Sequence, residues 1–271
     1  MDLNTVECII QPRSRAELPA WRPHDCLLAG GTDVLSGSHP GLRRLVDLGA
    51  LYWPPLEPSP DGLRIGATCT LATLAAAEFP PAWPAAAVFA TCCQALAGSF
   101  KVWNTATVGG NVCLALPAAP MLAAAIALDG TAVLWPGEGG ERRVPMLGFV
   151  TGPQQTVLQP GEVLRAIEVP VAALRRRAMM RQASLTAHGR SAALLVATSC
   201  PGDGGFRMTV TASTVRPLHR HWPAPPAPGV LDGWLSGLPD ATWLDDVHGA
   251  PAWRRHMTRR LAAELLRGLA A

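Results

Sequence analysis

The chain has 271 residues, enough for one or two domains, and is 49% hydrophobic but only 16% charged. Its formal net charge of +3, carried almost wholly by arginine, is too small and too dispersed to mark a nucleic-acid surface. Low charge leaves much small or apolar surface, which burial in an obligate complex would explain, as would plain alanine enrichment.

From the N-terminus, residues 1–10 mix acidic and polar side chains, so no targeting segment is expected. No run of 18 clean apolar residues follows, and the chain reads as a soluble cytoplasmic protein with no membrane segment. Strand patterns cover 26–29, 44–48 and 63–69. Thr70 then caps a helix over 71–78, and Pro84 opens one over 85–97 that Gly98 ends. Residues 105–111, TATVGGN, are a β-branched, strand-like run closed by a glycine pair. Pro120 opens a helix over 121–128, ended by Gly130, and strands follow at 131–135, 162–169, 192–199 and 206–213. Arg175 to Arg177 read as a connector, with a domain boundary near 170–176. Proline- and glycine-rich turns lie at 53–62, 136–141 and 222–229. The last helix starts at Pro251 and carries Trp253, Met257, Leu261 and Leu265 as one apolar stripe, with arginines beside it. This order of elements predicts an α+β protein of two domains.

Seven cysteines without a Cys-x-x-Cys exclude the usual zinc and iron–sulfur spacings. Cys92 and Cys93 are adjacent and point apart on a helix, and most of the cysteines read as core thiols in a reducing compartment. His219 and His221 could ligate a metal at i and i+2 but have no third ligand nearby, so no metal site is expected. No G-x-S-x-G and no carboxylate pair stands out, so no catalytic acid, base or nucleophile is expected.

Two stretches carry the chemistry: LLAGGTDVL at 27–35 and TATVGGN at 105–111. A glycine pair permits φ > 0 and removes the Cβ that would hold a ligand away, so successive N–H groups can converge on an anion. Thr32 and Thr107 add hydroxyls, while Asp33 and Asn111 can brace their own loops. Either pair alone could be an ordinary turn; two matched pairs point to one shared ligand. With no Lys or Arg inside either loop, a diphosphate between two ribose units suits them better than a terminal phosphate. Neither G-x-G-x-x-G nor a P-loop is present.

LLAGGTDVL followed by VWNTATVGGN closely resembles the FAD-binding subunit of the molybdenum hydroxylases, the xanthine dehydrogenase and carbon monoxide dehydrogenase type. The run RIGATCT at 64–70, the segment LQPGEVL…IEVP over 158–170 and the tail DVHGAPAWRR over 246–255 continue the resemblance across nearly the whole chain. It implies an FAD-binding domain of two α+β subdomains, vanillyl-alcohol-oxidase-like, over 1–172. A smaller C-terminal domain over 173–271 would combine an antiparallel sheet with a helical bundle. By motif position Leu28, Ala29, Gly30, Gly31, Thr32, Asp33 and Val34 would form the first FAD loop. Thr107, Val108, Gly109, Gly110 and Asn111 would form the second, with Ala67 on the adenine–ribose side and Pro120 near the flavin.

The resemblance further implies an electron-transfer subunit of an oxidoreductase hetero-oligomer. Its partners would be a small chain with 2Fe-2S clusters and a large chain with the molybdenum cofactor, where substrate is oxidised. The sequence departs from the family at four places. Pro120 stands where the family has an acid, Leu116 where it has a serine, Trp103 where it has an arginine, and Met179–Met180 near a frequent tyrosine. These departures leave open an alternative, a structural or assembly subunit that keeps the fold without flavin chemistry. A self-sufficient flavin oxidase is disfavoured, because the chain has one tyrosine, Tyr52, and no cluster of catalytic type in its C-terminal region.

Overall fold

The computed structural model describes residues 3–200 and 205–270; Met1 and Asp2, part of the N-terminal reading above, lie outside them. Near the N-terminus β1 (Cys8–Ile10), β2 (Asp25–Leu28) and β3 (Arg44–Asp47) form a parallel sheet with β3 in the middle. Arg44 pins this sheet: its Nε and Nη2 donate to the Asp25 carboxylate at 2.9 and 2.5 Å and Nη2 also to the Ala20 carbonyl at 2.7 Å. Both side chains of this pair are buried, so the ion pair is shielded from screening.

A second, antiparallel sheet holds β4 (Leu56–Ser59), β5 (Gly62–Gly66), β6 (Thr131–Trp135), β7 (Arg142–Pro145) and, after the short hairpin β8 (Val150–Gly152) and β9 (Gln155–Thr156), β10 (Val163–Pro170). The order is β4-β5-β10-β6-β7, so the chain's last strand of this group occupies the centre. The register of β10 on β6 shifts between Leu164 and Ala166. The intervening Arg165 is 8% exposed and lies over the Trp53 ring at 4.6 Å and the Trp135 ring at 5.8 Å.

Between β5 and β6 run α1 (Leu71–Ala75), α2 (Ala87–Gln94), α3 (Phe100–Thr105), α4 (Val108–Leu114) and α5 (Pro120–Ala127). Every residue of α5 is buried, as expected of a helix apolar on all sides. Burial of Met121, Leu122 and Ile126 there contributes on the order of 1.5–3 kcal/mol each. Two single-turn helices, α6 (Met146–Phe149) and α7 (Val171–Leu174), flank the second sheet.

The C-terminal part is an antiparallel meander, β11 (Arg177–Ala183), β12 (Ala193–Ser199), β13 (Phe206–Thr211) and β14 (Leu218–Trp222), followed by α8 (Pro228–Ser236) and α9 (Pro251–Ala270). Alternation splits this sheet's faces. Leu194 and Val196 join the core around α2 and α5, whereas Ala193, Leu195, Ala197, Phe206, Met208 and Val210 join a second core with α8 and α9.

Several elements differ from the sequence reading. The strand-like TATV run is not a strand: Thr107 is the N-cap of α4, and both glycines of the pair sit in that helix's first turn. Capping by the threonine hydroxyl outweighs the β preference of Thr and Val. The segment expected as one helix over 85–97 is a 3-10 turn, Pro84–Ala86, running into α2. Arg177, expected in a connector, opens β11. The His219–His221 segment, expected beside a linker, is part of β14. On α9 the buried stripe includes Arg254 and Thr258, while Trp253 and Met257 are only half-buried.

Candidate cofactor site

Leu28 ends β2, paired with Asp47, and the chain then turns through Ala29, Gly30 and Gly31. Gly31 has φ +70°, a conformation that glycine adopts without strain. The turn closes with Leu35 N–H donating to the Gly31 carbonyl at 2.8 Å. Ser36 donates to the Asp33 carbonyl from N–H at 2.9 Å and from Oγ at 2.8 Å. Thr32 and Asp33 are exposed, and Leu28 and Val34 are half-buried. The N–H groups of Gly30, Gly31, Thr32 and Asp33 donate to no acceptor among the described residues. This loop therefore offers a row of backbone donors next to a threonine hydroxyl.

The second loop is built differently. Thr107 Oγ1 accepts from Gly110 N–H at 3.0 Å and the Thr107 carbonyl accepts from Asn111 N–H at 3.0 Å. Val108 N–H donates to Cys69 O and Gly109 N–H to Ala67 O, both at 2.8 Å. All four amides are thus engaged within the protein, which corrects the expectation of bare donors in both loops. Nor does Gly110 adopt a positive φ; it is helical and exposed. The reason lies in the spacing: a threonine three residues before a helical amide caps it, and the pair is consumed by the helix start.

The glycines matter here for closeness. A Cβ on Gly30 would lie 1.9 Å from the Thr105 carbonyl oxygen, and a Cβ on Gly109 would lie 2.7 Å from the Ala67 carbonyl oxygen. The first loop therefore rests on the end of α3, and the second rests on the segment after β5. Asn111 Oδ1 accepts from Met121 N–H at 3.1 Å, tying α4 to the start of α5, where Pro120 is buried at the first helical position. Leu28, Ala67 and Pro120 are brought into the same connected structure as the two loops. Pro120 supplies no polar atom toward a ligand, and Asn111 spends its side-chain oxygen on the helix.

Other residues singled out in the sequence have structural employment. Trp103 Nε1 donates to the Leu96 carbonyl at 3.3 Å. In the tail motif, Arg254 is 1% exposed, donates to Gly249, Ala192 and Ala212 carbonyls at 2.7, 2.8 and 2.6 Å, and pairs with Asp246. Arg255 pairs with Asp240. His219 Nδ1 meets Thr209 Oγ1 at 2.9 Å. Among the described residues no group of three or more His, Cys, Asp or Glu could hold a metal ion, and no helix is long and apolar enough to cross a membrane. Sequence reasoning missed Thr105 and Ala106, whose backbone is the floor under Gly30; their only signal is their place within the same motif.

Comparison with known proteins gives a family match to "FAD binding domain in molybdopterin dehydrogenase" over residues 6–172. The xanthine dehydrogenase FAD-binding subunit of Escherichia coli O157:H7 is 34% identical over 162 residues, covering 56% of this chain and 53% of that protein. The chain thus spans about half the length of such relatives. Among solved structures, quinoline 2-oxidoreductase from Pseudomonas putida 86 superposes with a TM-score of 0.81 at 19% identity, covering 100% of this chain and 98% of that one. Carbon monoxide dehydrogenase from Oligotropha carboxidovorans gives 0.82 at 21% identity, covering 97% and 98%. At these identities the structures establish a shared mixed α/β fold.

Proposed function

Since the chain belongs to the family of FAD-binding domains in molybdopterin dehydrogenases, a family of oxidoreductases, we propose that it is the electron-transfer subunit of a molybdenum hydroxylase complex. In this reading its partners are a small chain with 2Fe-2S clusters and a large chain with the molybdenum cofactor, assembled in the cytoplasm. Residues 1–172 form the FAD-binding domain and 173–271 the C-terminal domain. The family match ending at residue 172 and the separate core beside α8 and α9 support that division.

The observation that carries the proposal is the meeting of the two glycine motifs through Gly30 and Thr105, with the first loop's amides left as donors. A diphosphate fits this arrangement: it needs N–H donors and a close backbone approach, and among the described residues no carboxylate, that of Asp33 included, accepts from the amides of residues 30–33. Gly30, Gly31, Thr32 and Asp33 would hold it by N–H groups, and the Thr32 hydroxyl would add a donor. Thr107, Val108, Gly109, Gly110 and Asn111 would act as a rigid wall, the amides of the last four already fixed by Ala67, Cys69 and Thr107. Leu28 and Val34 would support the first loop from behind, Ala29 would lead into it, and Ala67 and Pro120 would shape the remainder. When bound, FAD would take electrons singly from iron–sulfur clusters and pass them, one or two at a time, to an external acceptor. The protein's task is to bind, orient and shield it, and that task requires no protein acid or base.

Pro120 favours the second reading, a structural or assembly subunit, because it places a buried ring and no acceptor at the start of α5. An absorption spectrum of the chain purified with its co-expressed neighbours separates the two. Bands near about 370 and 450 nm, with FAD released on denaturation, support the electron-transfer reading. A folded, colourless complex overturns it in favour of the assembly subunit.

A further inference from the structure

The face of the C-terminal sheet that packs on α5 is apolar along Leu194 and Val196 and turns polar at its far corner. The register sets Thr198 opposite Arg207 and Arg207 opposite His221, with Thr209 opposite His219 in the adjoining row. Residues two apart on a strand share a face, so these five side chains form one patch. Arg176, just before β11, borders it and donates from Nη2 to Asp129 Oδ2 at 2.5 Å, beyond the C-terminal end of α5.

Three buried polar atoms here have no hydrogen-bond partner among the described residues: Arg176 Nη1, Arg207 Nη1 and Thr198 Oγ1. Arg176 is 7% exposed and Thr198 0%, so neither can relax into solvent. Unpaired buried donors are costly and uncompensated buried charge more so. Asp129 is the one carboxylate of the described residues paired with either arginine, so among those residues one guanidinium has no carboxylate partner. The neighbouring His219 reports the same field. Its pKa is lowered, first by burial, and Arg207, Arg176 and His221 push it down further against an opposing pull from Asp129. A neutral ring adds no charge to the balance.

We propose that this corner binds one small monovalent anion, of the halide kind, through Arg176 Nη1, Arg207 Nη1 and the Thr198 hydroxyl. The guanidinium without a carboxylate partner among the described residues sets the valence, the burial of the three atoms sets the size, and the donors set the sign. The site stands apart from the cofactor loops. Asn111 caps α5 at Met121, whereas Asp129 follows its other end, about 12 Å away at about 1.5 Å per residue. The anion would tie β12 and β13 to the end of α5 and so fasten the C-terminal sheet to the rest of the chain.

Thermal unfolding of the full chain in about 100 mM sodium chloride and in sodium gluconate of equal ionic strength tests this. Chloride should raise Tm by about 3 °C over gluconate, in a saturable manner. The increment should vanish in Arg207→Gln and in Thr198→Val. Crystals of the wild-type chain grown in bromide should show an anomalous peak bonded to Arg176 and Arg207, a result that does not depend on the variants folding. Equal Tm in the two salts, an increment undiminished in both variants, or an absent bromide peak would overturn the proposal and assign the corner to water.

Discussion

Gly30 and Thr105 meet backbone to backbone: a Cβ on Gly30 would fall 1.9 Å from the Thr105 carbonyl oxygen, far inside any tolerated contact. Gly30→Ala must therefore push the first loop off α3. We expect loss of bound FAD together with a destabilisation of about 1–3 kcal/mol, the usual cost of overpacking. At Gly110 the added Cβ meets only Thr107 Oγ1, at 3.0 Å, in a helix that otherwise favours alanine. Gly110→Ala should stay within about 1 kcal/mol of the wild type. Flavin-to-protein absorbance ratios and Tm of the two variants check this; equal behaviour would mean that the contact is not the constraint.

Arg254 is a clamp between α9 and the C-terminal sheet, donating to the carbonyl of Ala192 just before β12 and to that of Ala212 just after β13. Arg254→Met takes the side-chain donor from three carbonyls, those of Gly249, Ala192 and Ala212, and should cost about 3 kcal/mol or more at about 1–3 kcal/mol for each buried group left unsatisfied. Arg255→Met removes a pair whose acid is almost fully exposed and should cost less than about 1 kcal/mol. Urea unfolding of both variants gives the comparison, and similar midpoints would contradict it.

Two carboxyls predict acid lability. The hydrogen bonds from Arg142 hold Glu162 below its ordinary value of 4.5, and those from Arg44 hold Asp25 below 3.8. Depressed folded values mean stability that is complete above the unfolded pKa and lost as pH falls through the folded one. The urea midpoint should be flat from neutrality to about pH 5 and fall below about pH 4. Glu162→Gln should lower the midpoint at neutral pH and make the acid limb shallower. An unchanged acid limb would show that the pair does not couple to folding.

Thiol reactivity should divide the cysteines sharply. Burial pushes Cys69 and Cys93 up to about 12 and Cys92 upward as well, whereas Cys8 is exposed. An aromatic disulfide reagent at pH 8 should modify Cys8 quickly and leave those three untouched until denaturant is added. Fast reaction of Cys92 or Cys93 in the native chain would refute the packing of α2.

How legible the fold was depended on whether a signal was local. Thr70, Pro84, Pro120 and Pro251 announce helix starts through side-chain and backbone constraints that act within one turn, and helices begin there. The strands over 131–135 and 193–199 are short apolar runs whose burial is complete or nearly so. The hidden parts depend on distant partners. β1 and β4 are short and largely exposed, and they exist because β3 and β5 offer edges. Arg254 reads as one more surface arginine until the carbonyls of residues 192 and 212 surround it. The same holds at the cofactor site. The two glycine motifs were visible as a matched pair, but which one keeps its amides free was decided by Thr107, Ala67 and Cys69, and the last two lie far along the chain.

That asymmetry makes the two loops different clocks in heavy water. The amides of Gly109, Gly110 and Asn111 are locked by the fold itself and should exchange slowly with or without cofactor. Those of Gly31, Thr32 and Asp33 should exchange at near-coil rates in the apo chain and slow only when a ligand engages them. One half of the site is finished when the chain folds; the other is finished by what it holds.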